Sequence, residues 1–191
     1  MSCPSAGKAV GSGEGLIHST GLQKPSSFQL DQLRRRRCVP AELFFLLRSQ
    51  PVAKMPRVTV TRRLRFNAAH RVFNPAFSDA QNEATFGKCN NPNWHGHNYV
   101  LEVSVEGDID EATGYVLDLA RLRDIAEARI IDKVDHKNFN LDVAFMKGII
   151  PTAENIVVQF WRILEPAVAP ARLTKLVLRE TENNYVEYTG N

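Results

Sequence analysis

The chain has 191 residues, 43% of them hydrophobic, with 24 Lys and Arg against 21 Asp and Glu. That length supports one domain, or one domain with a tail. No apolar run approaches the roughly 20 residues of a membrane span, and three scattered cysteines make no disulfide framework, which points to the reducing cytoplasm.

Residues 1–54 carry eight basic side chains, including the Arg34 to Arg37 run, against three acids. Residues 55–191 carry 16 bases against 18 acids, so the basic balance belongs to the first part. The remainder offers no compositional case for binding nucleic acid. The first 54 residues are rich in Ser and Gly and lack periodicity until the short patch Leu43 to Leu47. Such a stretch reads as a disordered N-terminal extension, as a targeting peptide, or as no part of the working protein, with translation starting at Met55. The last reading is favoured because Met55-Pro56 directly precedes the first strand pattern.

From Arg57 to His70, Val58, Val60, Leu64, Phe66, Ala68 and His70 share one parity, broken only by Arg62. This alternation predicts a half-buried strand ending at His70. A long connection, 71–94, follows. Ser78 with Gln81 three residues on is a capping-box pattern for a helix within it, and Cys89 lies near its end. A second strand is expected over 95–106, where His95 and His97 continue into Tyr99, Leu101, Val103 and Val105. Side chains at i and i+2 of a strand share a face. If the two strands pair antiparallel, His70 meets His95 and His97 on that face. Three neutral imidazoles without an obvious fourth ligand describe a catalytic zinc site with an open position. The competing reading is three hydrogen-bonded histidines at a sheet edge.

Residues 107–114 read as a turn and Tyr115 to Leu117 as a short strand. Asp118 is an N-cap candidate for a helix over 119–133, with Leu119, Leu122, Ile125, Ala126, Ile130 and Val134 at helical spacing. Thr152 can cap a second helix, whose buried face holds Ile156, Val157, Phe160, Ile163 and Leu164 and which Pro166 ends. Strands are expected at 173–180 and 185–188 around the turn Glu182-Asn183-Asn184. The layout is α+β, an antiparallel sheet with its helices on one face.

Several residues could carry chemistry. Cys89 is either a fourth metal ligand, which would make the site structural, or a thiolate base or nucleophile beside an open site. Asp135 and His136 are adjacent in sequence, so an orienting Asp for a proton-shuttling His is one option; the other is a His that complements a helix C-terminus. Glu180 is in phase with Leu176 and Leu178, which puts a carboxylate on the apolar face at a cost unless it finds a partner. That partner is either a cationic or amidine-like ligand or an Arg of the sheet. Glu154 complements the second helix dipole.

Taken together, FNAAH ending in His70, FGKCNNPNWHGHNY, VDHKN, PTAEN and LRETENN resemble the 6-pyruvoyl tetrahydropterin synthase family across 55–191. The resemblance implies the tunnelling fold (T-fold): a four-stranded antiparallel sheet with two helices on one face, three subunits forming a barrel, and two trimers stacking into a homohexamer. It implies that His70, His95 and His97 hold zinc, that Cys89, Asp135 and His136 form a catalytic triad, and that Glu180 and Thr152 bind the pterin. Two positions depart from the family pattern: Ala153 stands where a second threonine is frequent, and Trp94 where a glycine is.

The implied substrate is 7,8-dihydroneopterin triphosphate, with magnesium as a companion of the triphosphate. The implied reaction is a carbon–oxygen lyase step that releases triphosphate and gives 6-pyruvoyl-tetrahydropterin, on the way to tetrahydrobiopterin. A runner-up is the related 6-carboxy-tetrahydropterin synthase of queuosine biosynthesis, a carbon–carbon lyase that releases acetaldehyde from the same substrate. The five residues between Cys89 and His95 match the pyruvoyl-type spacing; the carboxy-type usually has three. A non-catalytic zinc-stabilised module, with Cys89 as fourth ligand, is the reading from a different class.

Overall fold

A computed structural model describes residues 55–190; the expectations for 1–54 lie outside the described residues. The first strand, β1 (Arg57–His70), opens with the β-branched run Val58-Thr59-Val60-Thr61 and runs as expected to His70. Helix α1 (Asp79–Phe86) follows, with the Ser78–Gln81 capping box formed in both directions. A 3₁₀ turn over Gly87–Asn90 carries Cys89. Strand β2 (His95–Asp108) then runs antiparallel to β1 over its whole length, with His70 opposite His95 and Ala68 opposite His97.

Helix α2 (Leu119–Ala126) continues through a π turn, Glu127–Ile131, into a last turn, Asp132–Val134. Its wholly buried residues Leu122, Ala126, Ile130 and Val134 recur every four positions. Four residues overshoot a 3.6-residue turn by about 40°, and the wider π turn takes up that drift, so Val134 still faces the sheet. Leu119, expected at the interface, is exposed instead. Strand β3 (Lys137–Asn138) is next, then helix α3 (Ala153–Leu164), capped by Thr152. Strands β4 (Arg172–Arg179) and β5 (Tyr185–Tyr188) close the fold.

The sheet order is β3-β1-β2-β4-β5. Its four long neighbours are antiparallel as expected, and β3 adds a short parallel edge beside β1. The strand expected at Tyr115 to Leu117 is absent; that segment is irregular, Tyr115 is exposed and Leu117 is buried. It passes over the end of β2, where a β-carbon on Gly107 would lie 2.9 Å from Val116 Cγ1. In β4 the register shifts between Ser104 and Val105 of its neighbour, so Leu173 and the Leu176–Leu178 series share the buried face despite opposite parity.

Helices α2 and α3 cover one face of the sheet, and the core lies between. Phe66 stacks on Tyr99 at 4.9 Å and meets Phe160 of α3 edge-on at 6.0 Å. Truncating such a ring to alanine costs about 3–5 kcal/mol. The opposite face carries cross-strand ion pairs such as Arg172–Glu106 at 2.7 Å. Among the described residues no helix is long and apolar enough to cross a membrane.

Candidate active site

The β1–β2 register delivers three imidazoles to the end of the core. The rings of His70, His95 and His97 lie 4.4–5.1 Å apart, and one nitrogen from each falls within 4.8 Å of the others. His70 is 1% exposed, and its Nδ1 is 2.8 Å from the Pro151 carbonyl. A carbonyl only accepts, so Nδ1 holds the proton and Nε2 keeps a free lone pair. His70 Nε2, His95 Nδ1 and His97 Nε2 are all buried without a hydrogen-bond partner. Burial, and then the neighbouring imidazoles, push the pKa of His70 below its ordinary value, against the opposing pull of Pro151 and Glu180. Burial and His97 do the same for His95. Neutral rings with unpaired buried nitrogens fit a metal ion, which would satisfy all three lone pairs at once. Among the described residues this is the one His/Cys/Asp/Glu group compact enough to hold a metal, and neither Cys89 nor Glu180 belongs to it.

Glu180 follows β4 in phase with Leu178, and its carboxylate turns toward this cluster. Oε1 lies 3.4 Å from His70 Nε2 and 3.7 Å from His97 Nε2. The buried hydroxyl of Tyr99 donates to the same oxygen at 3.3 Å. Burial and then the Glu180 charge push the Tyr99 pKa up, so it stays a donor. Among the described residues no arginine takes the place expected for a sheet salt bridge at Glu180. Tyr99 was legible only as part of the apolar stripe; the signal was a tyrosine in phase with His97, because a buried hydroxyl needs a partner.

A cleft of about 530 Å³ gathers His70, Cys89, Thr152, Ala153 and Glu180. Cys89 is a free, exposed thiol there. Thr152 lines the cleft while its hydroxyl accepts from Asn155 N–H at 3.4 Å as the cap of α3. Trp94, which enters β2, sits at φ +65°, the left-handed conformation that glycine takes without strain.

Asp135 and His136 do interact. His136 Nδ1 is 2.9 Å from Asp135 Oδ2, and Asp135 Oδ1 accepts the Asn67 N–H at 2.7 Å. That backbone bond, foremost, and His136 hold the Asp135 carboxyl below its usual range. His136 takes φ +57° and donates its own N–H to the Asn67 carbonyl. Its ring is 77% exposed on the β3 edge and lines a separate cleft beside Asn67 and His97. Within one chain, Asp135 shares a cleft with His97 and Glu180, but neither Asp135 nor His136 lines the cleft that holds Cys89.

The family model for 6-pyruvoyl tetrahydropterin synthase matches residues 59–191. The chain belongs to this family. A human 6-pyruvoyl tetrahydrobiopterin synthase is 44% identical over 131 residues, covering 69% of this chain and 90% of the relative. A Rickettsia conorii 6-carboxy-5,6,7,8-tetrahydropterin synthase is 28% identical, covering 68% and 99%. The solved Caenorhabditis elegans 6-pyruvoyl tetrahydropterin synthase superposes with a TM-score of 0.69 at 42% identity, covering 72% of this chain and 99% of that one. These likenesses fit the T-fold and the enzyme family that the motifs imply.

Proposed function

We propose that this chain is a zinc-dependent lyase that converts 7,8-dihydroneopterin triphosphate to 6-pyruvoyl-tetrahydropterin with loss of triphosphate. The observation that carries the proposal is the cleft in which Cys89, Thr152 and Glu180 line the space beside His70, one of three clustered imidazoles whose buried nitrogens have no hydrogen-bond partner. The higher identity to a pyruvoyl-type relative than to a carboxy-type one supports the product.

Each residue has a task in this reading. Zinc held by His70, His95 and His97 would supply Lewis acidity to the substrate's side-chain hydroxyls, making the attached C–H bonds more acidic. Glu180, with one oxygen held by Tyr99, accepts hydrogen bonds from the amino and ring N–H groups of the pterin. Cys89 as thiolate takes a side-chain proton, and triphosphate, accompanied by magnesium, leaves with the electron pair of its C–O bond. His136, oriented by Asp135, then moves protons through the tautomerisations. No external redox cofactor is required, because the oxidation and reduction are internal to the substrate.

The separation of His136 from Cys89 supports an assembled site. The sheet ends in the short edges β3 and β5, which invite pairing with another copy. We propose that three chains close a barrel edge to edge and two barrels stack into a hexamer. His136 on the β3 edge of one chain then meets the Cys89 cleft, lined by Tyr185 and Val186 of β5, on the next. The proposed location is the cytoplasm, where the thiol stays reduced.

Incubating the purified chain with dihydroneopterin triphosphate and identifying the products by mass tests the reading. A 6-pyruvoyl product with free triphosphate supports it. A 6-carboxy product with acetaldehyde would replace it by the carboxy-type reaction, and no turnover by an active-folded, metal-loaded chain would refute both. Mixing inactive Cys89→Ala and His136→Ala chains after dissociation tests the shared site: recovered activity is expected, and none would place both residues in one chain's site.

A further inference from the structure

Arg71 directly follows His70, and the proposed chemistry gives it no role. Its backbone and side chain nevertheless join three segments. The guanidinium donates three hydrogen bonds to Asn90: Nε to the carbonyl oxygen at 2.9 Å and to Oδ1 at 3.1 Å, and Nη2 to Oδ1 at 2.9 Å. Asn90, next to Cys89, is 6% exposed. The adjacent Val72 N–H donates to the Cys89 carbonyl at 2.8 Å. Both carbonyls that follow the Cys89 side chain are thus tied to the strand end that presents His70.

The third segment is the loop after β3. Arg71 N–H donates to Asn140 Oδ1 at 2.9 Å, and Asn140 Nδ2 donates to the Arg71 carbonyl at 3.0 Å. The guanidinium also lies 4.7 Å from the centroid of the Phe73 ring, which limits its rotation. The turn that carries Cys89 is joined to α1 through the Gly87 N–H bond to the Glu83 carbonyl and closed by the Asn91 N–H bond to the Lys88 carbonyl at 3.3 Å, bonds that hold its two ends. It is four residues long, has no side-chain cap at its start, and leaves Cys89 itself exposed. An exposed thiol has no packing of its own to fix it, so its position is inherited from the backbone beside it.

We infer that Arg71 is a positioning residue that sets the Cys89 thiol relative to the three-histidine cluster by clamping Asn90. The inference rests on the proposed catalytic role of Cys89. A lysine cannot replace the fork, because one ammonium cannot span both acceptors of Asn90 in the same planar geometry. Misplacing a reacting group by about 1 Å can cost on the order of 100-fold in rate.

The test compares Arg71→Ala, Arg71→Lys and Asn90→Leu with Asn90→Asp, which keeps both acceptor oxygens. Three quantities are measured on the full chain: kcat and KM, metal content, and the rate at which iodoacetamide alkylates the Cys89 peptide at fixed pH, followed by mass spectrometry. For the first three variants, kcat should fall about 10- to 100-fold while KM stays within about twofold and metal content is unchanged. Their Cys89 alkylation rate should change at least about threefold, because an untethered thiol samples other positions. Asn90→Asp should keep both rates near wild type. Unchanged kcat and alkylation in Arg71→Lys and Asn90→Leu would overturn the inference. So would losses that track only the fraction of chain remaining folded. Should Arg71→Ala fail to fold, the lysine variant decides. Should the wild-type chain show no turnover, the alkylation rates alone decide, since they need no substrate.

Discussion

His70 Nδ1 donates to the carbonyl of Pro151, 81 positions along the chain, at 2.8 Å. That bond joins the end of β1 to the residue before Thr152, the cap of α3. It fixes the tautomer of one candidate ligand and ties the orientation of its ring to the segment that lines the cleft holding Cys89. The pairing gives the three-histidine cluster a rigid reference, and a rigid cluster of free lone pairs is what a metal ion requires.

One zinc per chain is therefore expected, measured by elemental analysis of protein prepared without added metal. A strong chelator should strip it and lower the melting temperature, because an ion that binds the folded form and not the unfolded one stabilises by mass action. His95→Ala, which removes one of three ligands, should lose most of the metal while the sheet core stays intact. A metal content near zero in wild-type protein refolded with excess zinc would sink the assignment.

The pH dependence of the metal-free protein follows from the same cluster. Burial and neighbouring imidazoles lower the pKa of His70 and His95 from the ordinary 6.5. Well above pH 6.5 both rings are neutral in the folded and unfolded chain, and they contribute no slope. Below it the unfolded chain takes up protons that the folded chain resists, so stability falls as pH falls, until the folded-state pKa values are passed. Denaturant midpoints of the metal-free protein from pH 8 to pH 5 should be flat at first and then decline. His95→Gln should reduce the decline; a profile flat throughout would show that these rings titrate normally.

Much of this arrangement was legible in the residues. Period-two alternation set the phase of both long strands, and phase alone put His70, His95 and His97 on one face. The same reasoning put Glu180 with them, since it follows Leu176 and Leu178 at even spacing. Partners distant in sequence were not legible: nothing local links Tyr99 to Glu180 or His70 to Pro151. Strand β3 is two residues long, too short to show a period, and its pairing comes from backbone bonds of His136 and Phe139 to Asn67 and Ala69. Conversely, the apolar run Tyr115 to Leu117 looked like a strand, yet Val116 packs over Gly107 without pairing. The Asp135–His136 contact depends on a left-handed backbone at His136, which no pattern of apolar spacing reports.

Cys89→Ala separates a catalytic from a structural thiol. Cys89 lies outside the group compact enough to hold a metal, so the variant should keep its zinc and its melting temperature within a few degrees. Turnover should fall to background, because no other thiol lines the cleft among the described residues. Loss of metal together with loss of fold would make Cys89 a ligand and bring back the non-catalytic module.

Glu180→Gln tests the carboxylate where its surroundings make the outcome least symmetric. In the native chain, Oε1 accepts from Tyr99 and faces two imidazole nitrogens, while among the described residues no arginine pairs with it. Removing one member of a protein–protein salt bridge would leave a buried cation behind and destabilise the fold. Among the described residues no arginine or lysine pairs with Glu180, and the glutamine oxygen can still accept from Tyr99. In the metal-free protein the substitution should leave the melting temperature within a few degrees and raise it if anything, since a desolvated charge is removed. Binding is a different matter. A pterin presenting an amino group and a ring N–H needs two acceptors side by side, and glutamine offers one acceptor and one donor. A buried donor facing a donor costs about 1–3 kcal/mol, so KM should rise on the order of 10-fold or more. A KM within twofold of wild type, with a melting temperature lowered by ten degrees, would mean that Glu180 serves the fold and not the ligand.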